Sequence, residues 1–127
     1  MVSGTFASAI NCMDGRTILP VDAWMKEQFQ VDYVDMITEA GPDKVLSQGT
    51  TAQVQSIKER VSISVEKHNS KVIAIVGHHD CAGNPVSQEE HQRHIMQGVA
   101  VIKSWGFDVR VIGVWLNESG EVELVVS

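Results

Sequence analysis

The sequence predicts an α/β fold: a mostly parallel β-sheet flanked by helices, with a C-terminal antiparallel edge strand. Three observations carry this expectation. Short apolar runs alternate with longer segments of helical periodicity, in the order β-α-β-α-β-α-β-β. Such alternation implies a parallel sheet with helices on both faces, joined by right-handed crossovers. The run from Lys71 to Gly77 (KVIAIVG) is almost wholly apolar, as a strand buried on both faces of a parallel sheet must be. Two β-rich segments close the chain, separated by the turn sequence Asn117-Glu118-Ser119-Gly120, which reads as a hairpin.

Each element follows from its residues. Residues 5–11 form a short buried strand ending in a polar loop, Asn11-Cys12-Met13-Asp14-Gly15-Arg16-Thr17. Pro20 suits a first helical turn, where no amide donor is needed. Val21, Trp24, Met25 and Phe29 fall at helical spacing, which gives a helix over 20–29. Residues 31–38 (VDYVDMIT) read as a second strand, broken by Gly41-Pro42. Val54, Ile57, Val61 and Val65 form one apolar stripe on a helix over about 50–68. The strand at 71–77 follows, and after it the polar run His78-His79-Asp80-Cys81-Ala82-Gly83. A helix over 87–104 carries Ile95, Val99 and Ile102 on one face. Residues 108–116 and 121–126 are the last two strands.

Composition narrows the function classes. A chain of 127 residues suits one domain, taken as residues 1–127. At that size about two-thirds of the unfolded chain's surface is buried on folding. The net charge of −6 and the lack of any dense Lys/Arg run argue against nucleic acid, whose phosphates demand clustered cations. No apolar stretch is long enough to span a membrane. The start, MVSGTFASAI, lacks the basic and apolar regions of a secretory signal. A cytoplasmic location is the resulting expectation. Two distant cysteines in such a compartment point to metal binding or catalysis before a disulfide.

The two polar clusters, at 11–17 and 78–83, both sit at the carboxyl end of a predicted parallel strand. That edge is where open α/β sheets bind ligands. If strands one and three are neighbours, the clusters meet. Cys81 lies three residues after His78, and Cys12 would supply a third ligand from the adjoining strand end. Thiolate and imidazole are good zinc ligands, and three protein ligands leave one tetrahedral position for water or substrate. The bland alternative is that both cysteines are buried and inert. Asp14 and Arg16 share the Cys12 loop, and Arg16 can hold the carboxylate through two parallel hydrogen bonds. Asp14 can then orient a metal-bound water. Alternatively it binds the metal itself and shuts the site, or the two residues form only a surface ion pair of little energetic weight.

Cys12-x-Asp14-x-Arg16 followed by His78-x-x-Cys81 resembles the β-class carbonic anhydrases, whose signature is this pair of motifs at two parallel strand ends. Gly77 before His78, and the HHDCAG run, are similar to the family's Gly-His-x-x-Cys segment. The order of elements agrees from about residue 5 to 126, although only the two motifs are close. The resemblance implies that Cys12, His78 and Cys81 bind zinc (Zn2+) and that Asp14 and Arg16 form the dyad beside the open position. It implies reversible hydration of carbon dioxide to bicarbonate and a proton by a zinc-bound hydroxide, since zinc lowers the pKa of bound water to about 7. Backbone amides near the Cys81 turn would stabilise the growing negative charge. It also implies a homodimer or higher homo-oligomer.

Two departures stand out. The family's N-terminal helical arm, which wraps a partner subunit, is expected to be absent. The family's Arg-Asn-Ala-Gly segment is replaced by Thr38-Glu39-Ala40-Gly41. Both bear on pocket shape and substrate. Two other functions therefore stand beside the first: a zinc hydrolase of carbonyl sulfide or carbon disulfide, and a non-catalytic zinc-binding domain.

Other residues invite blander readings. His79 is expected at the surface or behind the ligands, and Asp80 to fix its turn through its own backbone. His91 and His94, three apart on a helix, are expected on a solvated face among Gln and Glu. His68 favours the dipole of its helix end. Trp24, Trp105 and Trp115 read as core or interface anchors. No phosphate-binding glycine loop, Cys-x-x-Cys pair or phosphatase loop occurs.

Overall fold

A computed structural model describes residues 3–127. Five strands form one sheet in the order β2-β1-β3-β4-β5. They are β1 (Phe6–Cys12), β2 (Tyr33–Glu39), β3 (Val72–His78), β4 (Arg110–Leu116) and β5 (Val122–Val126). β1 pairs in parallel with β2 and β3, and β3 with β4, while β5 runs antiparallel to β4 at the edge. The helices are α1 (Ile18–Phe29), α2 (Pro42–Gln48), α3 (Thr51–His68) and α4 (Gln88–Ser104).

Strand periodicity sorts the core into two layers, because successive side chains point to opposite faces. On one face Ile10, Ile73, Ile75 and Trp115 meet Leu46 of α2, Ile57 and Val61 of α3, and Ile95, Val99 and Ile102 of α4. On the other, Ala7, Ala9, Ala74, Val76 and Val114 meet Val21 and Met25 of α1. Three helices thus cover one face and one covers the other. The small side chains Ala7, Ala9 and Ala74 leave room for α1 to lie against the central strands.

Local chemistry sets the helix ends. Thr50 and Gln53 form a reciprocal capping box that starts α3, and Asn69 ends it in a left-handed conformation. Ser87 accepts from the Glu90 amide at the start of α4, where Glu89 and Glu90 also suit the positive end of the dipole. α2 departs from the sequence expectation, which had Gly41-Pro42 simply ending a strand. Gly41 instead turns the chain at φ 63°, and Pro42 opens a seven-residue helix. Proline at the first helical position costs no hydrogen bond, so the strand breaker is also a helix starter.

Candidate metal centre

Cys12 is the last residue of β1 and His78 the last of β3. These strands are parallel neighbours, so their carboxyl ends emerge side by side. His78 and Cys81 are carried by one tight turn, in which Asp80 adopts φ 58°. The two sulfurs lie 3.9 Å apart, and the ligand atoms of Cys12, His78 and Cys81 all fall within 4.8 Å of one another. Among the described residues this is the one such cluster of three ligating side chains. Two thiolates at about 2.3 Å from a tetrahedral zinc would stand about 3.8 Å apart.

The histidine supplies the sharpest observation. Its Nδ1 donates to the His79 carbonyl at 2.8 Å, which fixes the tautomer and leaves Nε2 as an acceptor. That Nε2 is buried and has no hydrogen-bond partner. Burial also pushes the imidazole pKa down, toward the neutral form that ligates metal. A buried acceptor without a partner is costly, and a cation shared with two sulfurs would satisfy it. Burial, together with the adjacent Cys12 sulfur, pushes the Cys81 thiol up to about 11, against the opposing pull of the Asn84 and Gly83 amides. A coordinated cation would reverse this balance outright. The donor set and its geometry therefore fit zinc.

Asp14 and Arg16 flank the cluster. Asp14 Oδ1 accepts from the Arg16 backbone amide at 2.9 Å and from Nε at 3.0 Å, and Oδ2 accepts from Nη2 at 2.7 Å. Arg16 holds the Asp14 carboxyl well below its ordinary range. The same guanidinium reaches the Asp80 carbonyl at 3.1 Å and Oδ2 at 3.3 Å. It therefore ties the Cys12 loop to the His78–Cys81 turn. Thr17, which the sequence offered no reason to single out, is fully buried and donates to the Asp14 carbonyl at 2.7 Å. A cleft lined by Arg16, His78, His79, Leu116, Asn117 and Glu118 opens beside the histidine.

Several residues sit differently from expectation. Asp80 does not cap its own turn; its carboxylate faces Arg16. His79 lies at the cleft rim, with Nε2 3.7 Å from Glu118. His91 and His94 are not solvated: both are buried, on the face of α4 that also carries Ile95 and Val99. The cause is α2, which presents Asp43 to that face. Asp43 Oδ2 accepts from His91 Nδ1 at 2.6 Å, and both side chains are inaccessible to solvent. His68 meets Asp35 at 2.7 Å as well as the end of its helix. Trp115 lies in the core and against the His91 ring.

The fold has known counterparts. A β-carbonic anhydrase of Aspergillus fumigatus superposes with a TM-score of 0.60 at 13% identity, covering 93% of this chain and 74% of that one. A second β-carbonic anhydrase of the same fungus gives 0.63 at 11% identity, covering 97% and 90%. One of two tetrameric β-carbonic anhydrases of Sordaria macrospora gives 0.58 at 14%, covering 97% and 81%. At these identities the likeness is one of fold. No curated protein sequence matches the chain. The family model described as "Putative carbonic anhydrase" matches residues 2–126, nearly the whole sequence, and the chain belongs to that family.

Proposed function

We propose that this chain binds zinc through Cys12, His78 and Cys81 and catalyses the reversible hydration of carbon dioxide to bicarbonate and a proton. The observation that carries the reading is the buried, unpartnered His78 Nε2 converging with two sulfurs beside the Asp14–Arg16 pair. Zinc held there would supply Lewis-acid activation of water at neutral pH.

The protein's own groups supply the rest. Arg16 keeps Asp14 ionised, so the carboxylate is a standing acceptor that can orient the attacking water and take part in removing its proton. Three hydrogen bonds from Arg16 engage that carboxylate, which favours orientation over direct metal ligation. His78 is locked by its backbone hydrogen bond, and the Gly83 and Asn84 amides favour a charged Cys81. Leu116 gives the cleft an apolar wall suited to a small non-polar gas.

The same reading takes residues 1–127 as one such domain, in the cytoplasm, where its two free cysteines stay reduced. Among the described residues no helix is long and apolar enough to cross a membrane. A homo-oligomer is supported by the open outer edge of β2 and by exposed Met13, Leu19, Tyr33 and Ile63.

Zinc content measured on the same sample as a stopped-flow carbon dioxide assay tests the proposal. About one zinc per chain with rapid turnover is expected. Zinc without turnover redirects the assay to carbonyl sulfide and carbon disulfide, and failure there leaves a non-catalytic zinc domain. A protein that takes up no zinc overturns the reading.

A further inference from the structure

We infer that Asp43, Asn84, His91 and His94 form an internal polar chain that positions the two ligand-bearing segments, so that metal affinity depends on residues that never touch the metal. This rests on the metal-binding reading above.

The chain is buried, and its two hydrogen-bonded halves, Asp43–His91 and Asn84–His94, touch where the Asn84 side-chain amide lies 3.4 Å from His91 Nδ1. Asp43, Asn84 and His91 are at most 1% exposed, and His94 is 6% exposed. Asp43 Oδ2 accepts from His91 Nδ1 at 2.6 Å. The Asn84 side-chain amide lies 3.0 Å from His94 Nδ1, and the Gln48 amide lies 3.0 Å from His94 Nε2. A neutral imidazole has one donor and one acceptor, so one amide presents its N–H and the other its oxygen. These residues come from α2, α4 and the loop between β3 and α4. They share no helical or strand ladder, so these hydrogen bonds join the three alongside the apolar packing of Leu46 on Ile95 and Val99.

Both ends of the chain reach a ligand segment. At one end lies Gly77, the residue before His78. A Cβ there would come within 3.0 Å of Asp43 Oδ2 and 3.3 Å of His91 Nδ1, so the acid and the imidazole rest directly on bare strand backbone. The His91 ring also lies on Trp115, which pairs with Gly77 across the sheet. At the other end Asn84 donates its backbone N–H to the Cys81 carbonyl at 3.3 Å. Its neighbour Gly83 touches the α2 entry so closely that a Cβ would stand 2.5 Å from the Ala40 carbonyl carbon and 2.6 Å from the Gly41 nitrogen. The loop with Cys81 at its start is therefore held by a side-chain hydrogen bond at Asn84 and a backbone contact at Gly83.

Burying a carboxylate and two imidazoles needs a reason beyond stability, since apolar groups of similar volume usually serve as well. Placement under both ligand segments supplies one. Partners outside the ligand set commonly change metal affinity by about 10- to 100-fold when removed.

The test is zinc affinity by chelator competition, with the visible spectrum of the cobalt-substituted protein alongside. Asn84→Ala deletes the bond to His94. It is expected to weaken zinc about 10- to 100-fold and to shift the cobalt spectrum. The control is Ser64→Ala, in a separate buried network: Ser64 bonds Ser8 at 2.6 Å, Asp35 at 2.6 Å and Ser70 at 2.5 Å, toward the amino ends of the strands whose carboxyl ends carry Cys12 and His78. It is expected to lower the melting temperature and leave zinc affinity unchanged. If Asn84→Ala does not fold, His94→Leu breaks the same bond from the helix side, and the same loss is expected. Wild-type zinc affinity with an unaltered cobalt spectrum in the folded variant overturns the inference while leaving the metal site intact. A wild-type protein that binds neither metal overturns both.

Discussion

Asp14→Asn changes the proposed site by one atom, and its effect can be worked from the contacts. Asp14 receives three hydrogen bonds: two on Oδ1, from the Arg16 amide and Nε, and one on Oδ2, from Nη2. Asparagine offers one oxygen. If it stays in the Oδ1 position, its NH2 faces the Nη2 donor at 2.7 Å, donor against donor. If the amide turns over, two bonds are lost. Either way the fixed negative acceptor disappears, and Arg16 is left with Asp80. None of these changes touches Cys12, His78 or Cys81, so zinc content should hold at its wild-type level. Loss of a positioned proton acceptor typically costs about 10²- to 10⁴-fold in rate, which is about 3 to 5 kcal/mol of barrier. Stopped-flow hydration kinetics on zinc-matched samples would read this directly. Full turnover in Asp14→Asn with full zinc would refute the role assigned to the pair.

Three further outcomes are expected. Cys81→Ser should lose zinc and turnover together, since a neutral hydroxyl is a poor substitute for thiolate; elemental analysis on the purified variant checks this, and retained zinc would remove Cys81 from the ligand set. Gly83→Ala should destabilise the fold and weaken zinc, because its Cβ would lie 2.5 Å from backbone that no rotamer change can move; a melting temperature and zinc affinity equal to wild type would contradict the close approach. The pH dependence of stability should carry the Asp14–Arg16 pair with a definite sign. Arg16 lowers the Asp14 pKa from the ordinary 3.8, so the pair's contribution is present above that value and lost as pH falls through the lower folded value. Its size is limited by solvent, with Arg16 62% exposed. Acid denaturation of wild type and Asp14→Ala should therefore converge below about pH 4, and a gap that widens there would contradict the sign.

The convergence of Cys12, His78 and Cys81 was legible as a conditional, because chain direction places these residues at carboxyl strand ends and the adjacency of β1 and β3 brings them together. A polar run after an apolar strand marks a carboxyl edge, and parallel neighbours bring two such edges together. Strand and long-helix boundaries followed from periodicity to within a few residues. α2 was not legible in the same way. Seven residues are too few for a periodic stripe to emerge, and Gly41-Pro42 reads first as punctuation. The cost of that omission lay in α4. Gln88 to Arg93 carries so many polar residues that His91 and His94 read as solvated, and only Asp43 and Gln48 on the helix that was missed, with Asn84 from the loop before α4, make their burial sensible. A buried hydrogen bond between residues 43 and 91 leaves no local pattern.

The loops that carry the proposed ligands are held from two sides by contacts of different physical kind. On the solvent side Arg16 spans Asp14 and Asp80, both partners reachable by water, with side chains 21% and 73% exposed. Such contacts are screened by salt and exchange cheaply. On the protein side the Asp43–His91 pair and the Asn84–His94 bond are sealed from water, where breaking a single partner is costly. The difference suits the proposed chemistry. Metal ligands must not move, whereas a carboxylate that orients water must pass through small rearrangements as substrate enters and bicarbonate leaves. Rigidity is placed beneath Gly77 and Asn84, behind the ligands, and adjustability is placed at Arg16, in front of them.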